Sequence, residues 1–154
     1  MKVYLIRHGE AVSSNVDPQR PLSDKGRADV RKIASFIKPL EISVEHVWHS
    51  GKPRAAQTAE ILAETVSTEK GCSFRDGLRP NANASAIADE LEAYDTDLMI
   101  VGHLPFLWNL SALLATGRET AAVVAFSTGT IVCLERRDPG LWQIDWTVAP
   151  ELLT

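Results

Sequence analysis

The sequence lacks the features that mark membrane, secreted and metal-binding proteins. No stretch approaches the roughly 18 consecutive apolar residues of a membrane-spanning helix. A run of only four apolar residues precedes Arg7, which is too short for the apolar core of a signal peptide. The two cysteines, Cys72 and Cys133, lie in unrelated contexts without metal-type spacing. We therefore expect a cytoplasmic protein without membrane association, in which both cysteines are reduced and buried; a disulfide is the alternative.

Basic residues are also few. Lysine and arginine total 16 against 20 aspartates and glutamates, which gives a formal net charge of −4 at pH 7. This charge argues against a nucleic-acid or anionic-membrane surface, and any basic site must be local. With 154 residues, 45% of them apolar, the chain is long enough to bury a substantial core. We expect residues 1–154 to form a single domain and the protein to be a monomer.

A short apolar run at residues 3–6 ends abruptly in Arg7-His8-Gly9. Four consecutive apolar residues of this kind predict a buried parallel strand. The polar residues that follow then lie at the carboxyl end of the strand, where open α/β sheets bind their ligands. An arginine and a histidine side by side, followed by a glycine that lets the backbone approach a ligand, indicate a phosphate site.

Strand-like and helix-like patterns alternate through the first two thirds of the chain, and strands close it. This order predicts an α/β fold: a three-layer sandwich with a mostly parallel central sheet flanked by helices, followed by a C-terminal antiparallel meander. Ser23 and Ser50 are the predicted N-caps of the first two helices. The predicted helices cover about 24–38, about 51–66, a segment at 87–94 and a segment from Pro105; the predicted strands cover 3–6, 44–48, Cys72–Phe74, 97–102, 122–126, 130–135 and 142–148.

Polar side chains recur where the predicted strands end. His8 follows the first strand, His103 follows a second fully apolar strand, and Arg54 lies in the first turn of the second helix. If these strands are neighbours, the three side chains converge at one edge of the sheet, where helix N-termini add N–H donors. Arg7 and Arg20 would bring further guanidinium groups, which suit phosphoryl oxygens.

A metal site is the alternative use of these histidines. The arginines near His8 would repel a divalent cation, and neither paired carboxylates nor His-x-x-x-His spacing supports one. His46 and His49 are three residues apart, but in an extended segment they point to opposite faces. The sequence therefore predicts no metal and no other cofactor.

Five short motifs follow one another along essentially the whole chain. They are Arg7-His8-Gly9-Glu10, Arg20-Pro21-Leu22-Ser23, Ser50-Gly51-Lys52-Pro53-Arg54-Ala55-Ala56-Gln57-Thr58, Val101-Gly102-His103-Leu104-Pro105 and Phe126-Ser127-Thr128-Gly129-Thr130. In this order they resemble the histidine phosphatase superfamily, the phosphoglycerate-mutase-like enzymes, and the small SixA-type phosphohistidine phosphatases most of all. Arg-His-Gly alone is a weak signal, whereas the ordered set is a strong one.

The resemblance implies a role for each matching residue. His8 would be the nucleophile, which attacks phosphorus to form a phosphohistidine that water then hydrolyses. Arg7 and Arg54 would hold the non-bridging oxygens and stabilise charge in the transition state. His103 would contact the same oxygens and, when protonated, add positive charge. Arg20 matches an additional phosphate contact of the family.

One departure from the family pattern bears on the substrate. Larger members carry an acidic residue after the second helix that protonates the leaving oxygen, whereas residues 77–83 here contain no carboxylate. An imidazole leaving group, with a conjugate-acid pKa of about 6.5, departs readily without such an acid. The large insertions that enclose small substrates in the mutases are also absent. Both features favour phosphohistidine on a signalling or phosphotransfer protein as the substrate.

Two other functions remain open from the sequence. The first is a phosphatase for a small phosphate ester, in which asparagine or water replaces the missing acid. The second is a non-catalytic module that binds phosphorylated partners. Two histidines argue against the second, because binding alone needs only the arginines.

Overall fold

The computed structural model of the protein describes residues 1–119 and 122–154. Its centre is a six-stranded sheet with helices on both faces, which confirms the predicted fold class. The strands in the described residues are β1 (Lys2–Arg7), β2 (Ser43–Val44), β3 (His46–His49), β4 (Ser67–Thr68), β5 (Cys72–Phe74), β6 (Leu98–Gly102), β7 (Ile131–Asp138) and β8 (Leu141–Val148). The α-helices are α1 (Asp24–Ile37), α2 (Pro53–Ala63), α3 (Ala84–Leu91) and α4 (Phe106–Thr116), and 3₁₀ turns occur at Lys38–Leu40 and Pro150–Leu152.

The sheet combines parallel and antiparallel pairing. Its strand order is β5-β3-β6-β1-β7-β8. The strands β5, β3, β6 and β1 pair in parallel, and β7 and β8 add antiparallel strands at one edge. The strands β2 and β4 form a separate parallel pair. The chain thus has the mostly parallel sheet and antiparallel C-terminal strands that the sequence predicts.

The alternation of side chains along β1 explains the two apolar layers. Val3 and Leu5 pack into a core with α3 and α4, whereas Tyr4 and Ile6 pack into a second core with α1 and α2. Because both faces are covered, β1 requires apolar residues at consecutive positions, as a central parallel strand does. The run of apolar residues ends at Arg7, where the strand leaves the two cores.

The pairing of β1 with β6 places two histidines side by side. Arg7 is opposite Gly102, so the next residue of each strand is a histidine. The backbone N–H of His8 donates to the Gly102 carbonyl at 3.0 Å and extends the ladder by one residue. On the other side of β6, His49 is opposite Val101, so β3 also ends at this edge. The predicted convergence of strand ends is therefore present.

Several predicted boundaries are wrong for physical reasons. Residues 122–126 form no strand: Val124 and Phe126 bury their side chains in the core from an irregular segment. Ser50 does not cap α2, which begins at Pro53 after Lys52 in the N-cap position. Proline suits the first turn because it has no N–H to leave unsatisfied. The predicted strand at 44–48 divides into β2 and β3, which belong to different sheets.

The predictions about the first helix cap and the cysteines agree better with the structure. Ser23 is the N-cap of α1, and its Oγ accepts from the Gly26 N–H at 3.0 Å. Cys72 and Cys133 are free thiols; the predicted burial is confirmed for Cys133 and wrong for Cys72, which is half-buried. Within the described ranges, none of the helices has the length and apolar character needed to cross a bilayer.

Gly26 joins α1 to the loop that follows β1. A Cβ atom at Gly26 would lie 2.0 Å from the Glu10 carbonyl oxygen, so a side chain there cannot be accommodated without moving backbone. Ser23 holds the same loop, because its backbone N–H donates to that carbonyl at 2.9 Å. The position of Glu10, two residues after His8, thus depends on the absence of a side chain in α1.

We expect Gly26→Ala to lower the free energy of unfolding by about 1 to 3 kcal/mol, the usual cost of overpacking. In an unobstructed helix, replacing glycine by alanine would raise the free energy of unfolding by up to about 1 kcal/mol. The sign of the measured change therefore shows whether the close contact exists. Denaturant titration measures it. Ser35→Ala, at an exposed position of α1, is the control and should change stability by less than about 0.5 kcal/mol. An increase in stability for Gly26→Ala would contradict the close contact.

Candidate functional site

The site lies where β1, β3 and β6 end. The rings of His8 and His103 are 4.9 Å apart between centroids. Only 7% of His8 and 1% of His103 is exposed, so both imidazoles are largely removed from water. Burial of two titratable rings at one strand edge is costly unless the rings are neutral or bound to an anion.

His8 has one ring nitrogen bound and one left over. Its Nδ1 lies 2.7 Å from the Gly9 carbonyl oxygen. A carbonyl only accepts hydrogen bonds, so Nδ1 carries the proton and Nε2 keeps its lone pair. Burial, reinforced by the charges of Arg54, Arg7 and Arg20, lowers the pKa of His8 to about 4, although the bond to Gly9 opposes this shift. At neutral pH the imidazole is therefore uncharged and has a free Nε2.

Thr58 connects the histidine loop to α2. Its Oγ1 accepts from the Gly9 N–H at 3.0 Å and donates to the Arg54 carbonyl at 2.8 Å. The residue is fully buried. Gly9 itself has no room for a side chain, since a Cβ atom would lie 2.8 Å from a methyl carbon of Val30. The backbone beside His8 is thus fixed both by a hydroxyl and by packing.

Arg7 and Arg54 are half-buried cations beside the histidines. Arg7 Nη1 donates to the Phe126 carbonyl at 2.7 Å. Burial lowers the pKa of both guanidinium groups, and the charge of Arg20 adds to the effect on Arg54. The Nε atoms of both side chains are buried and have no hydrogen-bond partner among the described residues.

Arg20 belongs to the loop between β1 and α1. Its backbone adopts a positive φ of 49°, and its Nε donates to the Val12 carbonyl at 3.1 Å. A bridge between Ala11 and Leu22 closes the loop. The charge of Arg20 lowers the pKa of both His8 and Arg54, which places this residue in the same electrostatic environment.

The positive charge of the site is not neutralised by carboxylates. Within residues 1–119 and 122–154, Arg7, Arg20 and Arg54 have no aspartate or glutamate oxygen within 4.0 Å, whereas five other lysines and arginines form such pairs. The same described residues contain no group of three or more histidine, cysteine, aspartate or glutamate side chains placed to hold a metal ion. Unpaired guanidinium groups around neutral imidazoles make a site for an anion.

His103 has a partner that the sequence did not reveal. The Ser50 Oγ lies 2.6 Å from His103 Nε2, while His103 Nδ1 is buried and has no partner among the described residues. Burial, with smaller contributions from His8, Arg54, Lys52 and Arg7, lowers the pKa of His103 to about 3. The unliganded protein therefore holds His103 neutral rather than protonated.

Sequence reasoning also missed Gln57 and Thr58. Gln57 Oε1 accepts from the Leu22 N–H at 2.8 Å and so ties the Arg20 loop to α2. Both residues stand three to four positions after Arg54, on the face of α2 next to it. Their position in the same motif as Arg54 marked both residues as candidates, but the sequence did not indicate which residues they contact.

A cleft of about 440 Å³ is lined by Lys52, whose charge contributes to the lowered pKa of His103, and by residues of the loop at 76–82. The backbone N–H of Phe106, at the start of α4, donates to the carbonyl of Pro80, one of the lining residues, at 3.1 Å and so holds this part of the cleft wall against α4. Residues 77–83 carry no carboxylate, as the sequence shows, but Asp76 immediately before them reaches the cleft. The lining residues are Lys52, Asp76, Gly77, Arg79, Pro80, Asn81 and Ala82.

Known proteins share both the sequence and the fold of this chain. The family model of the histidine phosphatase superfamily (branch 1) matches residues 3–80. Phosphohistidine phosphatase SixA of Escherichia coli strain K12 is 26% identical, and the match covers 97% of this chain and 94% of that protein. An uncharacterized protein of a Picosynechococcus strain is 33% identical over 77% of this chain and 75% of its own length. A structure of the protein histidine phosphatase SixA complexed with tungstate has a TM-score of 0.87, with 25% identity and 99% coverage of both chains. The chain therefore belongs to the histidine phosphatase superfamily, branch 1, and is a phosphatase.

Proposed function

We propose that the protein hydrolyses phosphohistidine on a signalling or phosphotransfer protein, through a phosphoenzyme formed on His8 and without a metal ion. The observation that carries the proposal is the state of His8. Its Nδ1 donates a hydrogen bond to the Gly9 carbonyl, so Nε2 is unprotonated. The charges of Arg7, Arg20 and Arg54 act on this ring, and in the described residues none of the three has a carboxylate partner. A neutral imidazole nitrogen is nucleophilic at neutral pH without a separate base.

The reaction divides into two transfers. In the first, His8 Nε2 forms a bond to phosphorus while the bond from phosphorus to the substrate imidazole breaks. The substrate ring carries a proton on its other nitrogen, so the electron pair stays on the departing nitrogen and a neutral imidazole leaves. In the second, a water oxygen attacks phosphorus, the bond to His8 breaks, and inorganic phosphate leaves as a proton passes to solvent.

The arginines would act on the oxygens of the moving phosphoryl group. In a loose transition state the charge is spread over the three equatorial oxygens and the protein has little covalent chemistry to do, so positioning and electrostatic stabilisation supply most of the catalysis. The Arg7 guanidinium is anchored at the Phe126 carbonyl before the substrate arrives, whereas Thr58 holds Arg54 through its backbone carbonyl. Donors that are already oriented need no reorganisation during the reaction. Arg20, held by Val12, is the third candidate contact.

The surroundings of His103 support a neutral rather than a charged role. Its pKa of about 3 in the unliganded site leaves it uncharged at pH 7. It would then act as a single hydrogen-bond donor to a phosphoryl oxygen. This refines the sequence-based expectation, in which protonated His103 contributes positive charge.

The cleft and the relatives support a protein substrate. The cleft is open and is bordered by the exposed Arg79 and the half-buried Lys52, so a phosphoryl group carried on a protein surface has access. SixA is named a phosphohistidine phosphatase, and its structure holds tungstate, a tetrahedral oxyanion with the shape of phosphate. The similarity to SixA extends over nearly the whole chain.

A second candidate function is hydrolysis of a small phosphate ester. Asp76 favours it, because this carboxylate lines a cleft together with Lys52, and a carboxyl group that reached the leaving oxygen would protonate an alkoxide. Phosphohistidine needs no such proton donor, since the imidazole leaving group has a conjugate-acid pKa of about 6.5. The two candidate functions therefore differ in whether catalysis depends on Asp76.

We expect His8→Ala to abolish turnover and the phosphoenzyme, because no other group in the proposal forms the bond to phosphorus. The measurement is rapid quenching with a radiolabelled phosphohistidine protein, followed by detection of acid-labile label on the enzyme. His46→Ala, at the opposite end of β3, is the matched control and should retain both. Full turnover in His8→Ala would refute the mechanism.

We expect Asp76→Asn to leave kcat for a phosphohistidine protein within about twofold, because the leaving imidazole needs no general acid. Asp89→Asn, at an exposed position of α3, controls for a change of surface charge. The kcat/KM values of both variants and the wild type are compared on a phosphohistidine protein and on small phosphate esters. A wild-type preference for an ester, with a loss of about 100-fold or more in Asp76→Asn, would favour the second candidate instead.

The proton state of His8 predicts the pH dependence of stability. The unfolded histidine has a pKa of about 6.5, and in the folded protein the pKa of His8 is about 4. Between these values the unfolded chain binds a proton that the folded chain does not. The free energy of unfolding should therefore fall as the pH falls from about 6.5 to about 4, with a slope of up to about 1.4 kcal/mol per pH unit from this residue. Denaturant titrations of the wild type and His8→Asn test this, and equal slopes would contradict it.

A further inference from the structure

Ser50 is almost completely buried at the end of β3 and contacts the second histidine of the site. Its exposed fraction is 1%, and its Oγ is 2.6 Å from His103 Nε2. The backbone N–H of Lys52 also donates to this oxygen, at 3.4 Å. The contact does not come from helix capping, which was the role that the sequence predicted for Ser50.

The hydrogens around Ser50 can be assigned. A hydroxyl group has one hydrogen to donate and two lone pairs to accept with. Lys52 already supplies a donor, and among the described residues His103 Nε2 is the one acceptor in reach of the Ser50 hydrogen. If Nε2 carried the proton instead, both the Ser50 hydrogen and the Nδ1 lone pair would be buried without a partner, whereas the Nδ1–H form leaves one group unpaired among the described residues. The arrangement therefore has Ser50 donating to an unprotonated Nε2.

This assignment fixes the other side of the ring. A neutral histidine with a free Nε2 carries its proton on Nδ1. His103 Nδ1 is buried and has no partner among the described residues, so it is the ring nitrogen that remains for a ligand. An N–H group at Nδ1 can donate a hydrogen bond to a phosphoryl oxygen. In the other tautomer Nδ1 carries a lone pair, which would repel that oxygen.

We propose that Ser50 is a positioning residue that holds neutral His103 in the Nδ1–H tautomer, so that His103 donates a hydrogen bond to the phosphoryl group. The proposal rests on the proposed function, since it assigns His103 to the phosphoryl oxygens. It also explains how a histidine that is uncharged at neutral pH still assists an anionic reaction. The role of Ser50 is then to set which nitrogen carries the proton, not to touch the substrate.

The first test reads the tautomer directly. Nitrogen NMR of the wild type, with isotope-labelled histidine at pH 7.5, should show His103 as the Nδ1–H form. In Ser50→Ala the population of this form should fall. Addition of inorganic phosphate should shift the Nδ1 resonance of the wild type. A wild-type His103 in the Nε2–H form would overturn the proposal, whatever the enzyme hydrolyses.

The second test is kinetic and uses a matched serine. Ser50→Ala should lower kcat on a phosphohistidine protein by about 10- to 100-fold, the usual effect of losing an orienting partner, with KM changed less than threefold. Ser111→Ala removes an equally buried hydroxyl, which donates within α4 to the Leu107 carbonyl at 2.7 Å, and should keep wild-type kcat. Wild-type kcat in a folded Ser50→Ala variant would refute the inference. Failure of the wild type to hydrolyse phosphohistidine proteins would instead refute the proposed function, and the NMR test would still decide the role of Ser50.

Discussion

The parallel pairing of β1 with β6 is the constraint on which the rest of the site depends. Both strands are buried on two faces, so their register is set by the fit of apolar side chains into two separate cores. A slip of one residue would exchange the two faces of β1 and so mismatch its side chains to both cores. The register that satisfies the cores also places Arg7 opposite Gly102 and brings His8 and His103 to the same level. The position of the site is thus enforced by core packing, which is much larger in energy than any contact within the site.

In this site the positive charge and the nucleophile belong to different residues. The guanidinium groups bring the positive charge and have no carboxylate oxygen within 4.0 Å among the described residues, whereas both histidines are kept neutral by burial and by those same charges. An acidic residue close by would neutralise the arginines and raise the pKa of the histidines, which would cost the site its nucleophile at neutral pH. The local absence of carboxylates therefore matters in a chain whose net charge is −4.

The sequence predicted those parts of the structure that local patterns control. We could predict β1, β6 and the helix cap at Ser23, because each depends on residues that are neighbours in the sequence. His8 and His103 could be placed at one edge because each follows such a run. Their catalytic roles, the single-domain organisation and the cytoplasmic location remain predictions.

The parts that the sequence did not predict depend on distant partners. Residues 122–126 have an apolar pattern that fits a strand, yet an irregular segment buries Val124 and Phe126 equally well and leaves the Phe126 carbonyl free for Arg7. Ser50 pairs with a residue 53 positions away, so its neighbours suggested only a helix cap. The cleft at residues 76–82 also depends on a distant contact, because the Phe106 N–H holds the carbonyl of Pro80, which lines it.

Thr58 has a consequence for how the site moves. One hydroxyl bonds both to the Gly9 N–H and to the Arg54 carbonyl, so the turn after β1 and the first turn of α2 are joined at a single buried atom. A displacement of α2 would therefore strain the bond to Gly9, the residue that follows His8. The backbone of the loop that carries the nucleophile is in this way linked to the backbone of Arg54, although more than forty positions of chain separate them.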